Sequence, residues 1–267
     1  MARNSYGSID KEYAARLGST PPDDDGPIWM VNLMKYRQVA DYGSEAGPAI
    51  SGREADDRYA PVAVLGDIGA EVVLFGDVDT QLLGSDPVWD RVGVVRYPTR
   101  RAFIDMQSRE DFRTRHVHKS AGMEQTIVMG CLPGPVPLSE NQLVDWADVP
   151  HPPTDDDPPV VVVHVIRFSE GGRPDMERYQ NKAGESAVPH GVRIGGWFDV
   201  EGTIIGDGRR WDQVRFNIFP SKAAFMAVVM DPGRLDAQRA HRAPAMSDTY
   251  TMIVRPGINR MPDSTAG

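Results

Sequence analysis

The sequence predicts an α+β protein made of two consecutive βαββαβ units. The main observation is an internal repeat, because the segment 84–103, GSDPVWDRVGVVRYPTRRAF, returns 122 residues later as 206–225, GDGRRWDQVRFNIFPSKAAF. Both segments carry Gly, Trp-Asp-x-Val, an aromatic residue before Pro, Ser or Thr, a basic residue and Phe at the same spacing. The second observation is that β-favouring apolar runs and helical segments follow one another in the same order in both halves. A repeat of this length fixes the architecture before any chemistry is considered.

Composition sets the class of protein. Of the 267 residues, 40% are hydrophobic and 25% are charged, which is enough apolar sequence for a core in each half. The formal net charge of −9 argues against a nucleic-acid partner, which needs a basic surface. The single cysteine, Cys131, excludes an intramolecular disulfide within this sequence and suits a reducing compartment. The sequence contains neither a secretory signal nor an apolar run long enough for a membrane span, so we expect a soluble cytoplasmic protein without a membrane partner.

The elements of the two units are expected in the following order. In the first unit, residues 28–131, we expect strands at 28–36, 71–78, 89–97 and 126–131 and helices at 53–65, 99–106 and 110–122. In the second unit, residues 160–256, we expect strands at 160–168, 192–201, 211–219 and 250–254 and helices at 179–187 and 221–230. The remaining segments are an N-terminal arm at 1–27, a loop insertion at 37–53, a proline-rich linker at 132–159 and a tail at 257–267.

A βαββαβ unit of this kind has the ferredoxin-like topology. The first strand ends in Lys35-Tyr36 or Arg167-Phe168, and each unit then carries Trp-Asp-x-Val followed by aromatic-Pro-Ser/Thr and, near its end, His-x4-Met. This pattern resembles the dimeric α+β barrel superfamily, most closely a bacterial branch described as a domain of unknown function. The resemblance implies that the two sheets pack into one α+β barrel within a single chain, with a further homodimer still open. It also implies that the fold is a poor guide to the reaction, since cofactor-free isomerases, cyclases, monooxygenases and haem enzymes share it.

Strand alternation separates the residues of each strand into two faces. On the strand 211–219, Val214, Phe216 and Ile218 form an apolar face, which we assign to the helices. This assignment points the polar residues of the other face, which are Gln213, Arg215 and Asn217, into the interior of the barrel.

The leading catalytic candidate is His164, which stands in the middle of the apolar run VVVVHVIRF. A polar side chain at such a position needs a partner or a wet cavity. Three interpretations remain open, namely a hydrogen-bonded core histidine, a general acid or base, and a metal or haem ligand.

Arg215 and Asn217 are the other catalytic candidates, since a guanidinium and an amide in a small cavity can hold a carboxylate or enolate oxygen. An ion pair between Arg215 and an acid such as Asp199 is the structural alternative. Further candidates for contact with a substrate are Gln213, Trp197, Phe168, Asp199, Arg167 and His241. No metal site is expected, because His116 and His118 are too close in sequence to share a helix face and Cys131 has no CxxC partner.

The sequence also lacks GxGxxG, GxxxxGK[ST], HExxH and GxSxG motifs, which disfavours nucleotide-dependent and standard hydrolase chemistry. The leading hypothesis is an isomerase, cyclase or lyase that uses no cofactor and acts on a small, mostly apolar carbonyl compound or acid in the barrel cavity. The alternatives are a non-catalytic protein that binds a small ligand or acts as a scaffold, and a haem-dependent enzyme.

Overall fold

A computed structural model describes residues 6–43, 47–137 and 143–265. The strands are β1 Ser8–Ile9, β2 Ile28–Tyr36, β3 Glu71–Leu83, β4 Arg91–Tyr97, β5 Met123–Pro133, β6 Val160–Phe168, β7 Arg193–Gly206, β8 Gln213–Phe219 and β9 Met246–Asn259. The helices are α1 Lys11–Ser19, α2 Gly52–Tyr59, α3 Val62–Asp67, α4 Arg100–Met106, α5 Glu110–Gly122, α6 Arg173–Ala187, α7 Lys222–Met230, α8 Pro232–Ala237, α9 Ala243–Ala245 and α10 Met261–Thr265, with a π-helical turn at Gln238–Arg242. Parts of the predicted arm, loop, linker and tail lie outside the described residues.

The strands close into one antiparallel barrel. Within the described ranges, the order around the barrel is β7, β5, β2, β4, β3, β9, β6 and β8, and pairing between β7 and β8 completes the circle. The two βαββαβ units are therefore not separate sheets, because β3 pairs with β4 of its own unit and then with β9 of the other. In the same way β7 pairs first with β8 and then with β5.

This pairing between strands of the two units explains part of the difference between the predicted and the observed strand bounds. The opening strands β2 and β6 have the predicted bounds, since both of their neighbours belong to their own unit. Strands β3, β7 and β9 end later than predicted, because pairing with the other unit satisfies backbone groups that the sequence pattern gave no reason to include. Strands β5 and β9 also begin earlier than predicted, through pairing with β2 and β6 of their own units. Pro61 divides the predicted helix 53–65 into α2 and α3, since its ring cannot continue a helix.

The repeated Trp-Asp dipeptide fastens the opening strand of each unit. Asp90 accepts a hydrogen bond from the backbone N–H of Tyr36 at 2.8 Å, and Asp212 accepts one from Phe168 at 2.7 Å. A carboxylate that receives a backbone N–H at the end of a strand satisfies a donor that the sheet leaves unpaired. The motif is therefore structural in both units.

A second repeat, in the segments before the two opening strands, becomes visible in the structure. Asp25 of PPDDDGP accepts hydrogen bonds from the backbone N–H groups that begin α4, and Asp157 of PTDDDPP does the same at α7. Thr99 and Ser221 cap the same two helices with their hydroxyl oxygens. Each helix start is thus held both by its own cap and by an acid from the preceding segment.

The interior of the barrel is a packed apolar core, which corrects the predicted assignment of strand faces. Val214, Phe216 and Ile218 point inward and pack with residues of the first unit such as Val31 and Leu33. The polar side chains of β8 therefore face the helices, not the barrel interior. Because the interior is lined by apolar side chains, burying the apolar face there avoids the cost of burying polar groups without partners. None of the helices among the described residues has the length and apolar character needed to cross a bilayer.

Candidate active site

The candidate site of the second unit lies between the outer face of the sheet and the helices that cover it. It is a cavity of about 460 Å³, a size typical of small-ligand sites. Strands β6 and β8 form its floor, and α6, α7 and α8 form its walls. Most of its wall is apolar, from residues such as Met176, Phe225 and Val228, while His164 and several arginines supply polar groups.

His164 and Arg215, which were expected together inside the barrel, both line this cavity on the helix side of the sheet. They are direct cross-strand partners between β6 and β8, so their side chains stand on the same face of the sheet. On the other side of His164, β9 presents Thr251, whose hydroxyl oxygen lies 3.1 Å from Nδ1 of the ring. Arg242 reaches over from the π-helical turn, with Nη2 3.4 Å from the same Nδ1 and 3.3 Å from the Thr251 hydroxyl.

These contacts define the protonation state of His164. An arginine can only donate, so the Nδ1 that faces Arg242 is an acceptor and Nε2 carries the proton of the neutral ring. Burial lowers the pKa of His164 well below its ordinary value, and the charges of Arg242 and Arg215 lower it further. The ring is therefore neutral at pH 7, with an N–H group to offer at Nε2.

Arg215 is held in place without an acidic partner. Its Nε donates to Oε1 of Gln213 at 2.6 Å, and its guanidinium lies 4.1 Å from the centre of the Trp197 ring. The amide oxygen of Gln180, oriented to accept, lies 3.2 and 3.1 Å from the two Nη atoms. Burial lowers the pKa of Arg215 to about 9, with a further contribution from Arg242.

Two more arginines share this environment. Arg234 and Arg242 are, like Arg215, less than a tenth exposed, and both guanidinium groups lie within 6 Å of the ring centre of Tyr179. Arg234 donates to the backbone carbonyl of Val229 at 3.0 Å. Among the described residues, none of the three arginines forms an ion pair with a carboxylate, whereas Arg91 of the first unit, buried to the same degree, pairs with three aspartates. Buried charge without a counterion is unfavourable, so the site favours an anion.

Arg215 is supported by Trp197 on the neighbouring strand β7 and by Asn217 on its own strand β8. The indole N–H of Trp197 donates to Oδ1 of Asn217 at 2.9 Å, which fixes the ring over which the guanidinium lies. Asn217 lines the cavity, but its carbonyl oxygen is committed to this bond. The geometry therefore gives Asn217 a positioning role.

A smaller cavity of about 260 Å³ adjoins the main one at Arg215 and Trp197. Asp199, Gln213 and Phe168 line it, and Nε2 of Gln213 donates to Oδ1 of Asp199 at 3.3 Å. Arg173 of α6 lies over the ring of Phe168. This arrangement places Asp199, Gln213 and Phe168 on an approach to the main cavity and not in its interior.

Two of the predicted residues are not among the lining of either cavity. Arg167 is exposed at the end of β6, and His241 faces Asp175 on α6 at 3.5 Å. From the sequence, Arg242 belongs with Arg239 and His241 to a basic stretch, interpreted as a solvated face or as a group that admits an anionic substrate, whereas Arg234 and Tyr179 were not predicted as site residues. The available signal was the basic run from 238 to 242 itself, but a π-helical turn decides which of its side chains face inward.

The histidine geometry is a poor fit for haem. A haem-ligating histidine offers one ring nitrogen to iron while the other donates to an acceptor. In His164 the donor group of Arg242 faces Nδ1, so the proton is on Nε2 and the lone pair is used within the protein. Among the described residues, no three His, Cys, Asp or Glu side chains are grouped as metal ligands.

Comparison with known proteins shows the fold. No family model and no curated protein matches the chain. The methylated RPA0582 protein matches with 31% identity over 50% of this chain and 98% of its own, at a TM-score of 0.42. RPA0582 from Rhodopseudomonas palustris, a protein of unknown function, matches with 28% identity over 49% and 99%, at a TM-score of 0.43.

The likeness that spans both chains is to a mutant chlorite dismutase from Candidatus Nitrospira defluvii. It covers 94% of this chain and 98% of that one, with 11% identity and a TM-score of 0.50. At this identity the likeness concerns the fold and not the reaction. Together with the closed barrel of eight strands, it shows that the chain has an α+β barrel fold like that of this chlorite dismutase.

Proposed function

We propose that the protein is a cofactor-independent enzyme that binds a small, mostly apolar carboxylic or carbonyl compound in the 460 Å³ cavity and stabilises its enolate. The reaction class is proton transfer next to a carbonyl group, as in an isomerase, cyclase or lyase; solvent takes the proton from the carbon atom and returns one to it, since the arginines and neutral His164 act only as donors. The observation that carries the proposal is the group of three buried arginines without an acidic partner around one apolar cavity. An anionic ligand would supply the missing counterion.

The catalytic roles follow from which hydrogen-bonding groups are available. Arg215 and Arg242 hold the negatively charged oxygen atoms of the ligand, and Nε2–H of His164 donates to the oxygen on which charge develops. A neutral histidine is a suitable donor, since a low pKa keeps the ring from taking up a proton and losing its tautomer. Asn217 and Trp197 position Arg215, while Asp199, Gln213 and Phe168 line the approach. Arg167 and His241 lie too far outside the lining for a direct role, so we assign them to the outer surface.

The proposal extends to the origin and setting of the chain. The two units, 28–131 and 160–256, are a tandem duplication joined by the linker 132–159, with an arm at 1–27 and a tail at 257–267. The equivalent bonds of Asp90 and Asp212, and of Asp25 and Asp157, support this origin. We place the protein in the cytoplasm, where it acts on a small organic substrate either as a monomer or as a homodimer.

The test uses phenylpyruvate as the probe and phenylacetone, which lacks the carboxylate, as the matched control. Proton NMR in deuterated buffer measures exchange of the hydrogens next to the carbonyl group. We expect protein-dependent exchange with phenylpyruvate and a much weaker effect with phenylacetone. Removing an oxyanion donor typically costs a factor of about 10² to 10³ in rate, so His164→Leu should lose that factor. His164→Gln, which keeps an N–H donor, should retain more activity.

The outcomes separate the hypotheses. Equal effects on both probes would contradict an anion site. Tight binding of phenylpyruvate without exchange would favour a non-catalytic binding protein. A Soret band in the purified protein would overturn the cofactor-independent proposal in favour of a haem enzyme.

A further inference from the structure

The first unit contains a second cavity in the place that corresponds to the active-site candidate of the second unit. Its volume is about 240 Å³, and it lies between the outer face of β2, β3 and β4 and the helices above them. The key positions differ in chemistry, because Asn32 occupies the position of His164 and Gly93 that of Arg215, and each pair is a direct cross-strand pair in its own unit. The floor of this cavity is therefore free of fixed positive charge.

Most of the cavity wall is apolar, although Asp56 and Asp57 also line it. Methionine, phenylalanine and valine side chains form most of it, namely Met30, Met34, Phe75, Val95, Phe103 and Met106. Flexible thioethers adapt to ligands of different shapes. A small apolar molecule is the ligand class that such a wall accepts.

Lys119 supplies the one amine that lines this cavity among the described residues. Its Nζ lies 5.4 Å from the centre of the Tyr59 ring, which also lines the cavity. The nearest buried acid, Asp56, is committed elsewhere, since it accepts from Tyr36 at 2.6 Å and lies 3.4 Å from Arg91. Burial lowers the pKa of Lys119, with Asp56 acting in the opposite direction.

The other lysines of the chain differ from Lys119. Of the five in the sequence, Lys35, Lys182 and Lys222 form ion pairs with Asp90, Glu185 and Asp79, and Lys11 is exposed on α1. The neighbouring His116 is a weaker base than an ordinary histidine, because burial lowers its pKa to about 4; its ring nitrogens contact the hydroxyl groups of Tyr6 and Ser120 at 3.2 and 3.3 Å. Lys119 thus combines an apolar setting with the absence of an acidic partner, which is the setting of imine-forming lysines.

We propose that the first-unit cavity is a second site, which takes small apolar aldehydes or ketones, and that Lys119 forms an imine with them. The amine nitrogen attacks the carbonyl carbon, a carbon–nitrogen double bond replaces the carbon–oxygen bond, and the oxygen leaves as water with both amine protons. No oxidant or reductant takes part. The site is independent of the arginine cavity and would function even if that cavity were inert.

The experiment is reductive trapping with benzaldehyde and cyanoborohydride, followed by peptide mass spectrometry of all five lysines. We expect Lys119 to gain a benzyl group at least about tenfold faster than the exposed Lys11, because the apolar cavity holds the aldehyde next to an amine that has no ion-pair partner among the described residues. Benzyl alcohol, which fills the cavity but cannot form an imine, should slow labelling of Lys119 alone. Labelling of Lys119 at or below the rate of Lys11 would overturn the proposal.

Two variants make the result specific. Val95→Phe places a ring in the cavity and should suppress labelling of Lys119 while the other four lysines react as before. Should that variant fail to fold, ¹³C-methyl spectra of methionine-labelled native protein provide the second measurement. Benzyl alcohol should then shift the signals of Met30 and Met106 and not that of Met176, which lines the other cavity, and no shift at Met30 or Met106 would contradict the site. Arg215→Met should leave the labelling unchanged, which separates this site from the proposed enzyme function.

Discussion

Replacing Arg215 by Met should make the protein more stable and its anion site weaker. The side chain is 5% exposed and has no carboxylate partner among the described residues. At 1.36 kcal/mol per pKa unit, the fall of its pKa from 12.5 to about 9 corresponds to a cost of about 5 kcal/mol for keeping the guanidinium charged in the folded protein. Methionine fills a similar volume without that cost.

Part of this gain is lost again. Gln213 and Gln180 each lose a donor, at about 1 to 2 kcal/mol for a buried polar group, and the contact with Trp197 is lost as well. We therefore expect Arg215→Met to raise the free energy of unfolding by about 2 kcal/mol, measured by urea denaturation at pH 7 without ligand. Binding of phenylpyruvate, measured by calorimetry, should weaken at least about 30-fold, because a buried charge pair that loses one partner costs 2 to 5 kcal/mol.

Arg91→Met is the matched control. Arg91 is 4% exposed, but it contacts Asp56, Asp57 and Asp77. Its removal leaves the buried Asp56 without a counterion and should lower the free energy of unfolding by about 3 to 5 kcal/mol. The reasoning fails if Arg215→Met is destabilised by more than about 1 kcal/mol while phenylpyruvate still binds with native affinity, since Arg215 would then be a structural residue.

Three further predictions concern titration and the repeat. Burial, with a smaller contribution from Lys119, lowers the pKa of His116 to about 4, so the unfolded chain takes up a proton at His116 below pH 6.5 while the folded protein does not until about pH 4. Between pH 7 and pH 5 the native protein should lose about 2 kcal/mol of unfolding free energy more than His116→Gln does, measured by urea denaturation, and parallel curves would contradict this. Binding of phenylpyruvate near pH 6 should leave His164 neutral, because burial, the largest cause, keeps its pKa well below the ordinary value even when a bound anion offsets the arginine charges; calorimetry in buffers of different ionisation enthalpy should find equal proton uptake for the native protein and His164→Gln, and uptake that His164→Gln abolishes would contradict the proposed role. Asp212→Ala should cost about 1 to 3 kcal/mol in urea denaturation and Asp90→Ala a similar amount, since each leaves one backbone N–H without its acceptor, and a neutral effect of both would show that the motif does not fasten the strands.

The fold could be predicted largely from the sequence, because its main signals are local. The apolar runs of β2 and β6 define their own ends, and the repeat defines the order of the elements. What could not be predicted is that β3 and β7 also pair with strands of the other unit, since this pairing depends on closure of the barrel and not on any pattern within those strands.

The candidate site could be predicted only in part. His164 and Arg215 lie on the same face of two adjacent strands. Alternation shows which residues of a strand share a face, but it does not show to which side of the sheet that face points. Valine and phenylalanine side chains fill the barrel interior, and the polar face of β8 is turned toward the helices. The contribution of Arg234 and Arg242 depends on how a short π-helical turn orients a basic run, and no sequence period encodes that turn.

The pairing of strands across the two units also affects how the protein unfolds. Between the units, β3 pairs with β9 and β7 pairs with β5. An isolated unit would therefore have an unpaired edge strand on each side of its sheet. The units should consequently melt as one cooperative body, and a cut in the linker would turn an intramolecular closure into an encounter whose success depends on protein concentration. In this chain the linker holds together the two halves of the barrel, a task that falls to subunit association in a barrel built from two separate chains.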